Sequence, residues 1–372
     1  MACKNSRMGS QASLSGNVGK YKIARKRTMG NIAAYFKQPR HLFQLVVLLI
    51  TLAIGLQFYF YVRQAAGGGE ITIERPAGVE GFLPIGALMG WKQFLLTGRW
   101  DAIHPAAMVI LGWAVALSLL LRKSFCGWFC PVGAISEWCW TMGRQWLGRN
   151  LRLPAWLDIA LRAVKYFLLG FFFWVIASMS AAQIAEFMHS PYYKLSDVKM
   201  LHFFTRMSAL TAMVLAGLLI GSFFIKNFWC RYLCPYGALL GLWAMIGPTR
   251  IRRDQARCIA CGGCDRACPA HLPVSQKKTI VSPECLGCMD CVAACPVDET
   301  LTLTSPGLPA RFWTLPRVAI FIGLFFVLAI YLAALTGHWR SGVSDMEFRA
   351  RLVFIDAPDN GHPSMDFGRA RP

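Results

Sequence analysis

Charge is scarce in this chain. Of 372 residues only 16% are Asp, Glu, Lys or Arg, against 55% hydrophobic, and the mean hydropathy is +0.42. Ordinary soluble domains carry roughly a quarter of their residues as charges, so this class is excluded. Acid is scarcer still: 19 residues against 39 basic ones, for a net charge of +20. The first 40 residues hold none. No C-x-x-C-H is present for haem attachment, and His41, His104, His189 and His202 lack the paired spacing that would sandwich a porphyrin between spans. No G-x-G-x-x-G follows a strand-like run, so neither nicotinamide nor FAD binding is indicated. The pI of 9.7 has no basic stripe with interleaved aromatics behind it, which argues against a nucleic-acid partner. A cleavable signal peptide is not expected either. The first apolar run begins at residue 41 and is longer than an h-region, and Arg25-Lys26-Arg27 is not a twin-arginine signal.

What the chain has in abundance is apolar runs. Crossing a hydrocarbon core of about 30 Å takes about 20 mostly apolar residues at 1.5 Å each. Five segments meet that length: 41–62, 104–121, 159–182, 204–225 and 315–336. Basic residues set the expected orientation. They crowd the first 40 residues, the connection 122–152 and the opening of the segment 226–311, so these face the cytoplasm, with 64–103 and 183–203 outside. The positive charge is then a topology signal and an attraction to anionic membrane lipid. The tail 1–40 is expected to be disordered.

Eight cysteines fall in one short stretch, as two copies of C-x2-C-x2-C-x3-C-P. The first is Cys258, Cys261, Cys264 and Cys268 with Pro269; the second is Cys285, Cys288, Cys291 and Cys295 with Pro296. Zinc ribbons also use C-x2-C pairs, but zinc needs four ligands, and two unbroken four-cysteine runs fit two [4Fe-4S] clusters better. In bacterial two-cluster ferredoxins the fourth cysteine of each run serves the other cluster. Cluster one then takes Cys258, Cys261, Cys264 and Cys295, and cluster two takes Cys285, Cys288, Cys291 and Cys268. Cytoplasmic placement keeps these thiols reduced.

A second pattern is an internal repeat. C-x3-C-P occurs at Cys126, Cys130 and Pro131, and again at Cys230, Cys234 and Pro235. Each copy follows an apolar run and precedes a shorter one, which suggests a parallel duplication with the ferredoxin inserted in the second unit. In a helix, i and i+4 share one face, and two such pairs about a twofold axis would offer four thiolates to an iron-sulfur cluster, zinc or copper. Buried, unliganded cysteines are the alternative. Arg122, Lys123, Lys226 and Arg231 are expected to favour thiolates there. Cys3 and Cys139 have no partner spacing and are read as incidental.

Together these motifs resemble the NapH-type membrane polyferredoxins, which include quinol dehydrogenase membrane subunits, the methylamine-utilisation ferredoxin-type protein and the membrane half of the nitrous oxide reductase regulator. The resemblance covers roughly residues 40–336 and includes an outer-loop segment beginning at Arg75. The regulator's flavin domain has no counterpart, since 40 residues precede the first run, and the carboxy-terminal domain of copper-reducing assembly factors is missing too. The resemblance implies an all-α polytopic protein of the bacterial inner membrane with an inserted α+β ferredoxin. The expected layout is a tail 1–40, a membrane domain 41–249, a ferredoxin 250–310, a last span 311–336 and an outer tail 337–372. Such a protein would carry electrons between the quinone pool and a partner redox protein; the alternative is a redox-active assembly factor that reduces a metal ion. An apolar run, 82–91, bounded by Glu80 and Lys92, is the candidate quinol site, together with the loop 186–202.

Overall fold

The computed structural model describes residues 38–355. Most of the expected tail 1–40, Cys3 and the segment 356–372 lie outside them. Proline writes many of the helix starts, because its missing N–H is one of the unpaired donors of a first turn. Helix α1 (Pro39–Ala66), α2 (Pro84–Thr97), α3 (Pro105–Leu121) and α4 (Pro131–Leu147) all begin on it. Helix α5 (Ala155–Ser178) follows Pro154, and α6 (Ala181–His189) opens on a capping box in which Ser180 and Gln183 satisfy each other's backbone N–H groups. Short helices α7 (Pro191–Lys194) and α8 (Ser196–Thr205) lead to α9 (Ala209–Phe224), α10 (Phe228–Tyr232) and α11 (Pro235–Ile246), and the single turns α12 (Gly263–Ala267) and α13 (Asp290–Ala293) lie in the cysteine-rich segment.

Among the described residues three helices are long and apolar enough to cross a membrane: α1, α5 and α14 (Leu315–Leu335). The count rises to four when α8 and α9, bent by 79°, are taken as one span. The fourth expected segment is therefore not one straight rod: the chain breaks at residues 206–208, and α9 alone is 16 residues, about 24 Å. Helix α3 has 17 residues, about 25 Å. The outward rows of α1 (Leu42, Leu49, Leu52, Leu56) and α14 (Leu324, Val327, Leu328, Leu332) are exposed and apolar, a surface suited to lipid rather than water.

The packing is reciprocal. Helix α3, which precedes the first C-x3-C-P, packs on α11, which follows the second; α9, which precedes the second, packs on α4, which follows the first. The two ends of α3 define two opposite surfaces. At its start, Ala102 O and Ile103 O accept from Gly342 N and Ser341 Oγ, and His104 Nε2 meets Tyr193 O. At its end sits the ferredoxin domain. There β1 (Arg250–Arg253) pairs antiparallel with β2 (Thr279–Ile280) and β3 (Leu301–Thr304), with Ile251 opposite both Ile280 and Leu303.

The carboxy-terminal segment is docked. Helix α15 (Asp345–Leu352) buries Phe348 against Tyr61, while Asp345 accepts from Tyr61 Oη and Glu347 pairs with Lys194. Arg40 likewise belongs to α1 and not to a tail: it is fully buried. Its guanidinium donates to both carboxylate oxygens of Glu137, to Gly127 O at 2.9 Å and to Asp290 Oδ2 at 3.0 Å. Burial pushes the Glu137 carboxyl up, but Arg40 and His41 hold it well below the usual carboxylate range. Removing one partner of such a pair strands a charge in the interior and costs about 3–5 kcal/mol. Arg40→Met should therefore lower the unfolding temperature in detergent markedly, and adding Glu137→Leu should recover part of the loss. Equal melting curves for wild type and Arg40→Met would show that the pair does not hold the domains together.

Candidate iron-sulfur site

The eight ferredoxin cysteines gather in two cavities. One is lined by Cys258, Cys261, Cys264 and Cys295, the other by Cys268, Cys285, Cys288 and Cys291. These are the two sets expected from the crossover pattern, with the fourth cysteine of each run in the other cavity. The loops are wound alike. Backbone φ is positive at Ala260 and Gly262 in the first and at Gly287 and Met289 in the second, that is, two residues after the first cysteine and one after the second of each run. Ala260 and Met289 hold a left-handed conformation that costs a residue with a side chain of order 1–3 kcal/mol. That strain turns the three thiols of each loop toward one centre. Leu272 N donates to Cys268 Sγ at 3.4 Å, the kind of hydrogen bond that stabilises a cluster thiolate. Soft sulfur donors, four to a cavity, fit an iron-sulfur cluster in each.

The two cavities differ in surroundings. Every cysteine of the second is buried, whereas Cys258, Cys261 and Cys295 of the first are partly exposed. What covers the second is the membrane domain. Trp128 Nε1 donates to Gly287 O at 3.1 Å, and Arg122 donates to Ser282 O. Gly287 approaches so closely that a Cβ there would lie 2.6 Å from Ser124 Oγ and 2.7 Å from Leu121 O. Only glycine serves both that contact and its φ of +61°. From the second repeat, Lys226 Nζ donates to Arg266 O and Cys268 O, and Arg231 to Ala270 O.

The C-x3-C-P segments are not uniform helices. The first is a π-type turn, Phe125–Phe129, closed by Cys130 N donating to Phe125 O at 2.8 Å; the second is the single turn α10. Both end on a cysteine that caps the next helix, Cys130 before α4 and Cys234 before α11, and Gly237 N donates to Cys234 Sγ at 3.3 Å. The four thiols lie close enough to influence one another: Cys230 feels Cys234, Cys130 and Cys126. Burial dominates and pushes all four up, Cys130 to about 11, so as free thiols they stay protonated near neutrality.

The basic residues expected to favour thiolates divide. Arg122, Lys226 and Arg231 are spent on backbone carbonyls and on Asp158. Lys123 alone of the four faces the thiols. Its side chain is 2% exposed, its Nζ lies 3.4 Å from the position of a Cβ on Gly237, and it favours the thiolates of Cys126, Cys230 and Cys234. Burial opposes its charge, yet Cys126, Glu284, Cys234 and Cys230 hold its ammonium above the ordinary range. Lys165 of α5, which the sequence did not single out, favours the thiolates of Cys126 and Cys234 and is anchored by both oxygens of Glu284 at 2.6 Å. Glu284, beside Cys285, also accepts from Tyr166 Oη at 3.2 Å.

At the opposite end of α3 the two expected quinol-site segments do meet. Arg75 donates from Nε and Nη2 to Asp197 Oδ2, and Gly86 packs on the Tyr193 ring. Glu80 is buried, accepts from Ala106 N and Ala107 N at the first turn of α3, and lies 3.4 Å from His104 Nδ1. Lys92 points elsewhere, donating to the carbonyls of Ile176, Ala177 and Met179 at the end of α5. The structure therefore joins the segments but gives Glu80 and Lys92 separate partners.

Comparison with known proteins agrees with this chemistry. A family profile described as a 4Fe-4S binding domain matches twice, at residues 103–154 and 206–254, and one described as a 4Fe-4S dicluster domain matches 250–296. YccM of Escherichia coli strain K12, named provisionally as an electron transport protein, is 42% identical over 325 residues, 86% of this chain and 90% of the relative. The methylamine utilization ferredoxin-type protein MauN of Methylorubrum extorquens is 28% identical over 272 residues, 70% of this chain and 85% of its own length. The ferredoxin-type protein NapH of Haemophilus influenzae is 28% identical over 203 residues, 51% and 67% respectively. No solved structure matches the chain. With its dicluster segment, its twice-matched 4Fe-4S profile and these relatives, the chain belongs to the NapH-type polyferredoxins, iron-sulfur proteins of electron transport.

Proposed function

We propose that this protein is an inner-membrane relay that passes single electrons between the quinone pool and a partner redox protein. The observation that carries the reading is that both C-x3-C-P segments pack on one cavity of the ferredoxin: Trp128 donates to Gly287 O, and Arg231 to Ala270 O. Cluster two would be held by Cys268, Cys285, Cys288 and Cys291 beside the membrane domain, and cluster one by Cys258, Cys261, Cys264 and Cys295 at the solvent end. Bound clusters supply one-electron carriers; the chain sets their distances, burial and sulfur hydrogen bonds. Reciprocal packing of α3 with α11 and of α4 with α9, and a profile that matches twice, support a duplicated membrane unit with the ferredoxin inserted in its second half.

A third centre belongs to the same reading, held by Cys126, Cys130, Cys230 and Cys234, with iron-sulfur favoured over copper. Four thiols with raised pKa would be inert without a metal, and the buried ammoniums of Lys123 and Lys165 would offset the charge that four thiolates bring. The quinol site is proposed where segment 75–92 meets loop 186–202, with Glu80 as the group that receives a proton. Five crossings, with the amino terminus and ferredoxin cytoplasmic, are supported by the basic connections and by the separation of the two ends of α3.

Four measurements test these statements. Iron and acid-labile sulfide from the ferredoxin should each approach about eight per chain, as two cubane clusters require. Cys130→Ser with Cys234→Ser should remove metal beyond that and slow electron passage; an unchanged metal count in this double variant would make the motif structural. Reporter fusions at residues 30 and 345 should report opposite compartments, and equal compartments would mean one crossing fewer or more. Glu80→Gln and Lys92→Met, combined, should slow quinol-driven reduction of the clusters about tenfold or more at unchanged iron content, the scale of losing one positioned proton acceptor. A wild-type rate would move the quinol site elsewhere.

A further inference from the structure

The solvent end of the ferredoxin carries a surface that the relay has not yet used. Between Arg250 and Lys278 the sequence holds seven basic residues and two acids. Both acids are engaged: Asp254 pairs with Arg257, and Asp265 accepts from Ser275 N and Oγ. Arg250 turns away to carbonyls at the end of α11, but Arg253 and Arg266 lie at the cavity of Cys258, Cys261, Cys264 and Cys295. Arg253 is part of its wall and bonds the backbone carbonyls of Lys277 and Lys278, both exposed. Arg266 lies across the other side, donating to Cys261 O at 3.0 Å with its side chain in solvent. In the middle Ile259, a residue of the same wall, is 49% exposed. An apolar residue in the wall of a redox cavity, flanked by Arg253, Arg266, Lys277 and Lys278, for which no ion pair is found among the described residues, has the make-up of a transient docking patch, in which charge steers encounter and the apolar contact seats it.

We propose that this face docks an acidic, soluble one-electron carrier protein, which exchanges one electron with cluster one, the carrier being oxidised as the cluster is reduced or the reverse. The inference rests on the assignment of cluster one to the solvent end. A protein partner is favoured over lipid because the cavity contacted by the membrane domain is the other one, through Gly127, Trp128, Lys226 and Arg231. Steering by a net charge raises on-rates by roughly ten- to a thousandfold and fades once the screening length falls to a few ångströms.

The test uses the full chain in nanodiscs, an acidic flavodoxin as probe and basic cytochrome c as control, with electron exchange followed by stopped flow. Raising salt from about 0.05 to about 0.5 M should slow the flavodoxin reaction about tenfold or more, and the cytochrome reaction should not slow. The variant Arg266→Glu/Lys277→Glu/Lys278→Glu should lose a similar factor with flavodoxin at low salt while its dithionite-reduced cluster EPR signals match wild type. A flavodoxin rate indifferent to salt and to these substitutions overturns the proposal. So does a variant effect that appears with phosphatidylglycerol and vanishes with phosphatidylcholine nanodiscs, since the patch would then face lipid. Because cluster reduction by dithionite is scored separately, a failed quinol pathway leaves this result readable.

Discussion

Arg40 is a full positive charge with no exposure to solvent, and three distant parts of the chain converge on it. Glu137 brings the helix that follows the first C-x3-C-P, Gly127 O brings the turn between its cysteines, and Asp290 brings the loop between Cys288 and Cys291. Taking these charges out of water is expensive, and the pairing returns about what desolvation takes. Its value is therefore selectivity. A ferredoxin domain slid by a few ångströms would leave Arg40 or Asp290 unpaired, so only one docking register is tolerable. Gln44, which donates to both Gly127 O and Glu137, stiffens the same arrangement. The spacing between the membrane thiols and the second cavity follows from this lock.

The same economy operates at the four membrane-edge thiols. If these thiols ionise to hold a metal, as proposed, their charge needs compensation, and Lys123 and Lys165 are the cations that favour their thiolates. Glu284 ties Lys165 in place and lies next to Cys285, so the charge balance of the thiol cluster is joined through one carboxylate to the neighbouring ferredoxin cavity. The positive charge at this end of the chain is thus of two kinds. Arg122, Arg231 and Lys226 serve as mechanical struts to carbonyls and to Asp158, while Lys123 and Lys165 act on the thiols electrostatically.

Cysteine spacing was legible because the chemistry of a cubane is local: three thiols from one loop need x2 spacing, and the proline restarts the chain so that the fourth can cross over. The positive φ at Ala260 and Met289 was not legible, since nothing in an Ala or Met announces a left-handed turn. The helix starts at Pro131 and Pro235 follow the same local rule, and those at Pro39, Pro84 and Pro105 obey it too, although the apolar runs alone did not mark them. The break between α8 and α9 was hidden, because hydropathy is blind to direction and residues 204–225 are apolar on both sides of the bend. Arg40 was read as one more topology-setting charge; its burial depends on Glu137 and Asp290, roughly 100 and 250 positions away, and no local pattern carries such a pairing. Lys165, inside an apolar helix, did carry a signal, since a lysine within a span asks for a partner. The docking of α15 through Phe348 had no periodic signature at all.

The separation of the two ends of α3 sets the remaining demand on function. Glu80 and His104 sit at its first turn, Leu121 and Lys123 at its last, and 17 helical residues put about 25 Å between them. Between these ends the space is filled by packed aromatics, Trp113 against Phe129 and Phe326 with ring centroids within 4.7 Å, together with Phe125 against Tyr236 at 5.4 Å. Aromatic packing of this kind is the ordinary way to fill a helical core and is not itself a redox chain. On the proposed reading, a quinol oxidised at the Glu80 end would need a further carrier, from a partner subunit or bound in the membrane domain, to deliver electrons to Cys126 and its neighbours. A quinol site at that end would thus require one carrier more than the cysteines supply, because about 25 Å of packed side chains separates Glu80 from Lys123.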